Sequence, residues 1–209
     1  MGSAHVTAMS VIDALSARAR ACWICAERFA GTHTRHQPKP VVWLSDTAPI
    51  LIASQAPGAR AHASGIPFDD PSGDRLRRWL GVDREAFYDR SKFTIAPMAF
   101  CFPGYDAKGS DLPPPKVCAA TWRAEVMAAM PQIELVLLIG GYAQKWHLGG
   151  AAKAGVTATV TNWRAHWPGT LCLPHPSWRN TAWLKRNPWF ETEVGPLLQA
   201  RVRDLTGAG

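Results

Sequence analysis

Short apolar runs that alternate with helix-like segments constrain the fold of this chain more than any other feature of its sequence. The clearest run, Leu135–Ile139, contains only leucine, valine and isoleucine and is followed by two glycines. Runs of this kind are typical of strands buried on both faces of a parallel sheet. We predict four core strands, at Ile50–Ala53, Phe93–Ala99, Leu135–Ile139 and Leu171–Leu173. The pattern therefore predicts a three-layer α/β/α sandwich around a central four-stranded, mainly parallel sheet.

The segments between these runs favour helices. Residues 8–28 contain neither glycine nor proline and place apolar side chains at helical spacing, which predicts one long first helix. Further helices are expected at about Asp74–Leu80, Val117–Met130, Tyr142–Leu148 and Pro188–Leu205. Val41–Leu44 is predicted as an extra edge strand. The proline-rich loop Pro103–Pro115 is long for a compact domain, so we expect it to be functional or held by a cross-link.

Size and charge limit the class of protein. The length of 209 residues suits a single domain over residues 1–209, with residues 1–7 expected to be disordered or a remnant of expression. The formal net charge of +7 fits a partner with a phosphate backbone, and equally a basic protein that is merely soluble. No apolar run approaches the roughly 18 to 20 residues that span a bilayer, and the N-terminus lacks a hydrophobic signal core. We therefore expect a cytoplasmic protein without membrane contact, and we expect a monomer.

Two glycine- and proline-containing motifs directly follow predicted strands. The first runs from Ser54 to Gly58 and on to Gly65–Phe68, and the second is Pro174–Ser177. Because the carboxyl ends of parallel strands meet at one edge of a sheet, we expect both motifs to line one crevice. Backbone amides of the first turn can face a ligand there, and Pro176 restrains His175.

Together these motifs resemble the signature motifs of the uracil-DNA glycosylase superfamily. Ser54–Gly58, Gly65–Phe68 and Ser72–Gly73 are similar to the first motif of the family-four and family-five enzymes, and His175–Ser177 resembles their second motif. The similarity runs from about Cys22 to Ala200, nearly the whole chain. It implies a glycosylase that flips uracil out of DNA and hydrolyses its bond to deoxyribose, which leaves an abasic site.

The resemblance also implies roles for individual residues. The backbone N–H at Gln55 would donate to a uracil carbonyl, His175 would donate to the uracil O2, and Phe68 would cover the face of the base. The implied substrate-binding residues are Gln55, Ala56, Phe68 and Asn180. A core phenylalanine and a hydrogen-bonded structural histidine remain the alternatives for Phe68 and His175.

Three positions depart from the family pattern. Family-one enzymes have a water-activating Asp where Ala56 stands, and family four has Glu where Gln55 stands. Candidates for the missing base are Asp69, Asp70 and His62, although either carboxylate is equally suited to cap the helix that follows. Pro97 replaces the asparagine that reads the uracil edge, so Asn180 or Gln55 would have to substitute.

Four of the five cysteines form a pattern that suits a metal centre. Cys22 and Cys25 form a C-x-x-C pair, and Cys101 and Cys118 flank the proline-rich loop. Four thiolates can hold a [4Fe-4S] cluster or a zinc ion. The order of the cysteines is similar to that of the cluster ligands of family-four glycosylases, which implies the cluster, while unligated thiols in a reducing cytoplasm remain the alternative. We expect Cys172 to be a buried apolar residue.

Aromatic and basic residues alternate directly after the second motif. In the family this loop enters the minor groove and fills the gap left by the flipped base. The expected DNA contacts are Ser177, Trp178, Arg179, Lys185 and Arg186, with Trp178 or Arg179 as the wedge. A solvated helix cap with buried tryptophans is the competing interpretation.

The sequence thus predicts a monofunctional uracil-DNA glycosylase with uracil-containing DNA as its partner. One alternative is a protein that binds or crosslinks uracil-DNA without turnover, with His62 as nucleophile, because the usual carboxylates are missing. Another alternative is a glycosylase for deaminated purines or mismatched thymine, which Pro97 motivates.

Overall fold

A computed structural model describes residues 9–207, so the expectation for residues 1–7 lies outside the described residues. At its centre lies a four-stranded sheet in which all neighbouring strands are parallel, in the order β2-β1-β3-β4. The strands are β1 (Ile50–Ala53), β2 (Phe93–Ile95), β3 (Leu135–Ile139) and β4 (Thr170–Leu173). The predicted fold class is confirmed.

The helices lie before, between and after these strands. They are α1 (Val11–Arg20), α2 (Ala26–Ala30), α3 (Ala59–Ser64), α4 (Pro71–Leu80), α5 (Arg84–Tyr88), α6 (Lys116–Ala128), α7 (Gly140–Leu148), α8 (Val156–Thr161), α9 (Thr181–Arg186) and α10 (Gly195–Thr206). Within residues 9–207, none of them has the length and apolarity needed to cross a bilayer.

Alternation along β1 builds two hydrophobic layers. Ile50 and Ile52 point to one face, while Leu51 points to the other, as the two-residue period of a strand requires. The first face is covered by α4 and α10, through residues such as Leu76, Leu80, Leu198 and Val202. The second face is covered by α1 and α6, through residues such as Ile12, Leu15, Trp122 and Val126. The sheet is therefore buried on both sides, which explains its apolar strands.

The predicted long first helix is wrong. The chain forms α1, leaves the helix after Arg20 and forms the short α2 only from Ala26. Cys22 and Cys25 lie in and at the end of the intervening turn. No glycine or proline marks this break, so the residue pattern gives no sign of it. The turn allows both thiols to face the segment that carries Cys101 and Cys118.

The second strand is shorter than predicted because Pro97 has no N–H to continue the ladder. Strand β2 ends at Ile95, but the residues that follow remain hydrogen-bonded to the loop after β1. The N–H of Met98 donates to the carbonyl of Ser54 at 2.8 Å, and the N–H of Ala99 donates to the carbonyl of Gln55 at 3.0 Å. The predicted edge strand at 41–44 is reduced to one antiparallel bridge between Trp43 and Ile95.

The last predicted helix is also divided. A π-helical turn, Phe190–Val194, precedes α10, which begins at Gly195. Pro196 lies in the first turn of α10, where its missing N–H does no harm, but a regular helix could not run through it. The chain is nevertheless helical from residue 189 to residue 206, so the helix predicted from Pro188 to Leu205 is present, with a π-helical turn in place of regular α-helix over its first part.

Candidate active site

A cavity of about 410 Å³ lies where β1, β2 and β4 end. It is walled by the two motifs and by the long proline-rich loop, so the sheet edge does bring the motifs together. The predicted site residues that line it are Gln55, Ala56, Phe68, Asp70, His175, Ser177, Trp178, Arg179 and Asn180. Its deep wall includes the buried Ser54, Ile95 and Pro97, and its exposed rim includes Asp111, Trp178 and Arg179.

His175 follows β4 and is oriented by its own loop. The backbone N–H of Ser177 donates to Nδ1 of His175 at 3.2 Å, so a neutral ring carries its hydrogen on Nε2. The side-chain Nδ2 of Asn180 donates to the carbonyl of His175 at 2.7 Å and holds the backbone. Burial lowers the pKa of His175, against the opposing effects of Asp70 and Asp111. At neutral pH this histidine is therefore an uncharged hydrogen-bond donor.

Phe68 forms one wall of the cavity in a strained backbone conformation. Its φ of 56° lies in the left-handed region, which a bulky residue adopts only when its surroundings impose it. Its ring meets that of Phe87 edge-on at a centroid distance of 6.1 Å. The hydroxyl of Tyr88 donates to the carbonyl of Pro67 at 2.8 Å and holds the preceding residue. The aromatic wall is thus fixed before any ligand arrives.

The two adjacent acidic residues of the first motif lie in different environments. Asp70 lines the cavity, and its Oδ1 accepts the N–H of Gly73 at 2.8 Å, so it also caps α4. Asp69 lies outside the cavity and pairs with Arg84 at 2.9 Å. The hydrogen bond from Arg84 is the main cause that lowers the pKa of Asp69. Asp70 therefore remains a candidate base, whereas Asp69 is committed to an ion pair at the surface.

Asp111 is a site residue that sequence reasoning missed. It lies on the long loop, lines the cavity and is exposed. The loop is closed there by a bridge between Tyr105 and Asp111 and by a hydrogen bond from the N–H of Leu112 to the carbonyl of Gly104 at 2.9 Å. Within residues 9–207 its carboxylate has no hydrogen-bond partner. The only signal in the sequence was the length of the loop, which says nothing about where the loop folds.

Other predicted residues lie away from the cavity. His62 is on α3, but its ring packs edge-on against His36 at a centroid distance of 5.2 Å and lies near Phe102. Burial is the main cause that lowers the pKa of His62. Lys185 and Arg186 are exposed on α9 and do not line the cavity. His62, the nucleophile of the crosslinking alternative, is therefore not among the residues that line the cavity.

The mouth of the cavity exposes an aromatic side chain beside a cation. Trp178 is 76% exposed, and the guanidinium of Arg179 lies 5.9 Å from the centre of its ring. Tryptophan side chains are highly buried on average, so one that is mostly exposed at the rim of a cavity is unusual. The interpretation as buried tryptophans does not hold for Trp178.

The four predicted metal-binding cysteines line one small apolar cavity. Burial raises the pKa of Cys101 to about 12 and that of Cys118 to about 11. The backbone N–H of Phe100 donates to Sγ of Cys118 at 3.4 Å. Among residues 9–207, no three or more metal-binding side chains are close enough to form a finished metal site. Four thiols that line one cavity are nevertheless a donor set suited to a metal ion or cluster that takes thiolate ligands.

The geometry defines a pocket lined by an aromatic wall and by a neutral histidine donor, built at the carboxyl edge of a parallel sheet. The sequence model of the Uracil DNA glycosylase superfamily matches residues 42–199, and the chain belongs to this superfamily. Membership supports a DNA glycosylase in general, with DNA as its partner. The chain is also similar to the crystal structure of wild-type SMUG2 from Pedobacter heparinus, with 12% identity, coverage of 87% of this chain and 79% of that chain, and a TM-score of 0.36.

Proposed function

We propose that this protein is a monofunctional uracil-DNA glycosylase that hydrolyses the bond between N1 of a flipped-out uracil and C1′ of its deoxyribose. One observation carries the proposal: His175, held as the neutral Nε2–H tautomer, shares a cavity with the first-motif loop and with Phe68. A planar base that stacks on Phe68 would present one of its carbonyl oxygens to the Nε2–H of His175.

Leaving-group stabilisation supplies the chemistry. As the C1′–N1 bond breaks, its electron pair passes to the uracil ring, and the Nε2–H of His175 donates to O2, where charge accumulates. A water molecule then forms the new bond to C1′, and its proton passes to a carboxylate. Asp70 and Asp111 are the acidic side chains that line the cavity. The products are an abasic sugar and uracil, whose anion takes up the proton held on the carboxylate or one from solvent as it leaves.

Selection of the base falls to Gln55. Pro97 lines the cavity but has no side-chain amide, and the Nδ2 of Asn180 is already engaged with the carbonyl of His175 at 2.7 Å. Gln55 lines the cavity, and within the described residues its side chain has no hydrogen-bond partner. An amide can both donate to and accept from the uracil edge.

The residues at the rim of the cavity would contact the DNA. Trp178 is the wedge that occupies the gap left by the flipped base, and Arg179 beside it meets a phosphate. Ser177, the neighbour of Trp178, would contact the backbone of the same DNA strand. The net charge of +7 favours binding to a phosphate backbone, with Lys185 and Arg186 extending the basic surface along α9.

Release of the base from labelled oligonucleotides tests the proposal. We expect multiple turnovers on deoxyuridine in single- or double-stranded DNA, and slower or no release from deoxyinosine, xanthine and G·T duplexes. Faster release from the deaminated purines or from thymine would support the alternative specificity. Stoichiometric complexes that survive denaturation, without turnover, would support the crosslinking alternative and contradict the proposal.

We further propose that Cys22, Cys25, Cys101 and Cys118 hold a [4Fe-4S] cluster of the family-four type. The cluster would join the turn before α2 to the two ends of the long loop and so fix the position of Asp111; base removal requires no redox step. The raised pKa values of Cys101 and Cys118 mean that binding must displace protons from these thiols.

Purified protein is expected to be brown and to contain about four iron atoms per chain. Cys118→Ser should lose the iron and its visible absorption, whereas Cys172→Ala should keep both, because Cys172 is buried in β4 away from the four. Iron and zinc are measured by elemental analysis after anaerobic purification. A colourless wild-type protein with one zinc ion per chain would show that the site holds zinc instead of the cluster. A protein with neither metal would contradict the proposal.

A further inference from the structure

Arg75 on α4 joins the two halves of the candidate active site. Its Nη1 donates to the carbonyl of Ser177 at 2.9 Å, and its Nη2 donates to Oγ1 of Thr181 at 3.2 Å. The helix that carries Arg75 begins beside the cavity, where Asp70 caps it. Of the two acceptors, Ser177 belongs to the second motif and Thr181 is the first residue of α9. One partly buried guanidinium thus spans from the first motif to the second.

The contact reaches His175 through a single residue. Ser177 accepts from Arg75 with its carbonyl and donates to Nδ1 of His175 with its N–H. The N–H of Asn180 also donates to the carbonyl of Ser177 at 3.1 Å, so this residue is held from both sides of the loop. A shift of the Ser177 backbone would remove the bond that keeps the hydrogen of His175 on Nε2.

We infer that Arg75 is a positioning residue that holds the second-motif loop so that His175 presents Nε2–H to the base and Trp178 stays at the rim. The inference rests on the proposed function. Arginine suits this role because its planar fork can reach two separate acceptors at once, whereas lysine offers a single point charge on a flexible stem. Nothing in the spacing of the sequence links position 75 to position 177.

Arg78 provides a matched control. It lies one turn further along the same helix, is exposed, and within the described residues its guanidinium makes no hydrogen bond or ion pair. Arg78→Ala therefore removes the same charge from the same surface without touching the loop. Arg75→Lys keeps the charge but cannot reproduce both hydrogen bonds.

The first measurement is uracil release under single-turnover conditions, with DNA binding measured separately. We expect Arg75→Ala to lower the rate constant by about 10- to 100-fold, since small displacements of a catalytic group cost this much. Arg75→Lys should recover only part of the loss, and Arg78→Ala should change the rate constant by less than about twofold. Equal losses for Arg75→Ala and Arg78→Ala would overturn the inference, because they would reduce the effect of Arg75 to surface charge.

The second measurement needs no enzymatic activity. In ¹⁵N-histidine NMR spectra, wild type and Arg78→Ala should show His175 as the Nε2–H tautomer, and Arg75→Ala should show a mixture of both tautomers. An unchanged tautomer in a folded Arg75→Ala protein would contradict the positioning role. If wild type releases no uracil but the tautomer still responds, the proposed function fails and the role of Arg75 in the loop stands.

Discussion

Replacing His175 with alanine is expected to slow uracil release by about a hundred-fold or more. The substitution removes a cavity-facing donor whose hydrogen is kept on Nε2 by a backbone contact, the N–H of Ser177 on Nδ1. Loss of one such donor at a developing anion costs about 3 kcal/mol of barrier. The measurement is the single-turnover rate constant on a uracil-containing oligonucleotide, with binding of the DNA measured in parallel.

His33 supplies the control for this variant. It is exposed on the segment after α2, and His33→Ala should match wild type in rate and in stability. A His175→Ala protein that is folded and as fast as wild type would remove the leaving-group account altogether. A loss confined to DNA affinity would also contradict it, because the donor is expected to act on the breaking bond.

The pH dependence of His175 follows from the same environment. Burial holds the pKa of His175 below its usual value, so the neutral donor persists when the pH falls through about 6.5. In acid, the unfolded chain takes up this proton more readily than the folded one, so stability from this group is present above about 6.5 and declines below it. His175→Ala should therefore lose less stability than wild type between neutral and acid pH.

The parts of the fold that were predicted correctly depend on local patterns. The four apolar runs were enough to predict the four strands of the sheet, because strands that are buried on both faces consist of continuous apolar residues. The break between α1 and α2 and the short β2 were not foreseen. The first is a turn that faces the segment of Cys101 and Cys118 and that no local residue pattern marks, and the second follows from the missing N–H of Pro97.

The site divides in the same way. Gln55 and His175 follow strands directly, so their convergence could be inferred from the rule that parallel strands end at one edge, whereas Phe68 comes after α3 and was expected in the site only from the resemblance of its motif. Asp111 and Arg75 could not be inferred. Asp111 depends on how a long loop folds back, and Arg75 reaches an acceptor 102 positions away in the loop after β4. Contacts of this kind are set by tertiary packing rather than by sequence spacing.

Replacing Gly73 with alanine is expected to destabilise the protein and to impair the site together. A Cβ at this position would lie 1.8 Å from the carbonyl oxygen of Phe68 and 2.9 Å from its Cβ, so Phe68 or the start of α4 must move. The N–H of Gly73 is also the donor that Asp70 accepts. Overpacking of this kind costs about 1 to 3 kcal/mol, and Phe68 already occupies a strained conformation at φ 56°.

The free energy of unfolding from urea titration and the rate of uracil release measure the two effects of Gly73→Ala. We expect a loss of about 1 to 3 kcal/mol and a fall in the rate constant of about tenfold or more, because the wall formed by Phe68 shifts with the backbone. Gly195→Ala is the control, since a Cβ there would meet no atom within 4 Å and alanine favours the helix. If Gly73→Ala has wild-type stability and rate, the close approach of α4 to Phe68 does not hold the aromatic wall. If the variant loses stability but keeps its rate, the position of the aromatic wall does not affect catalysis.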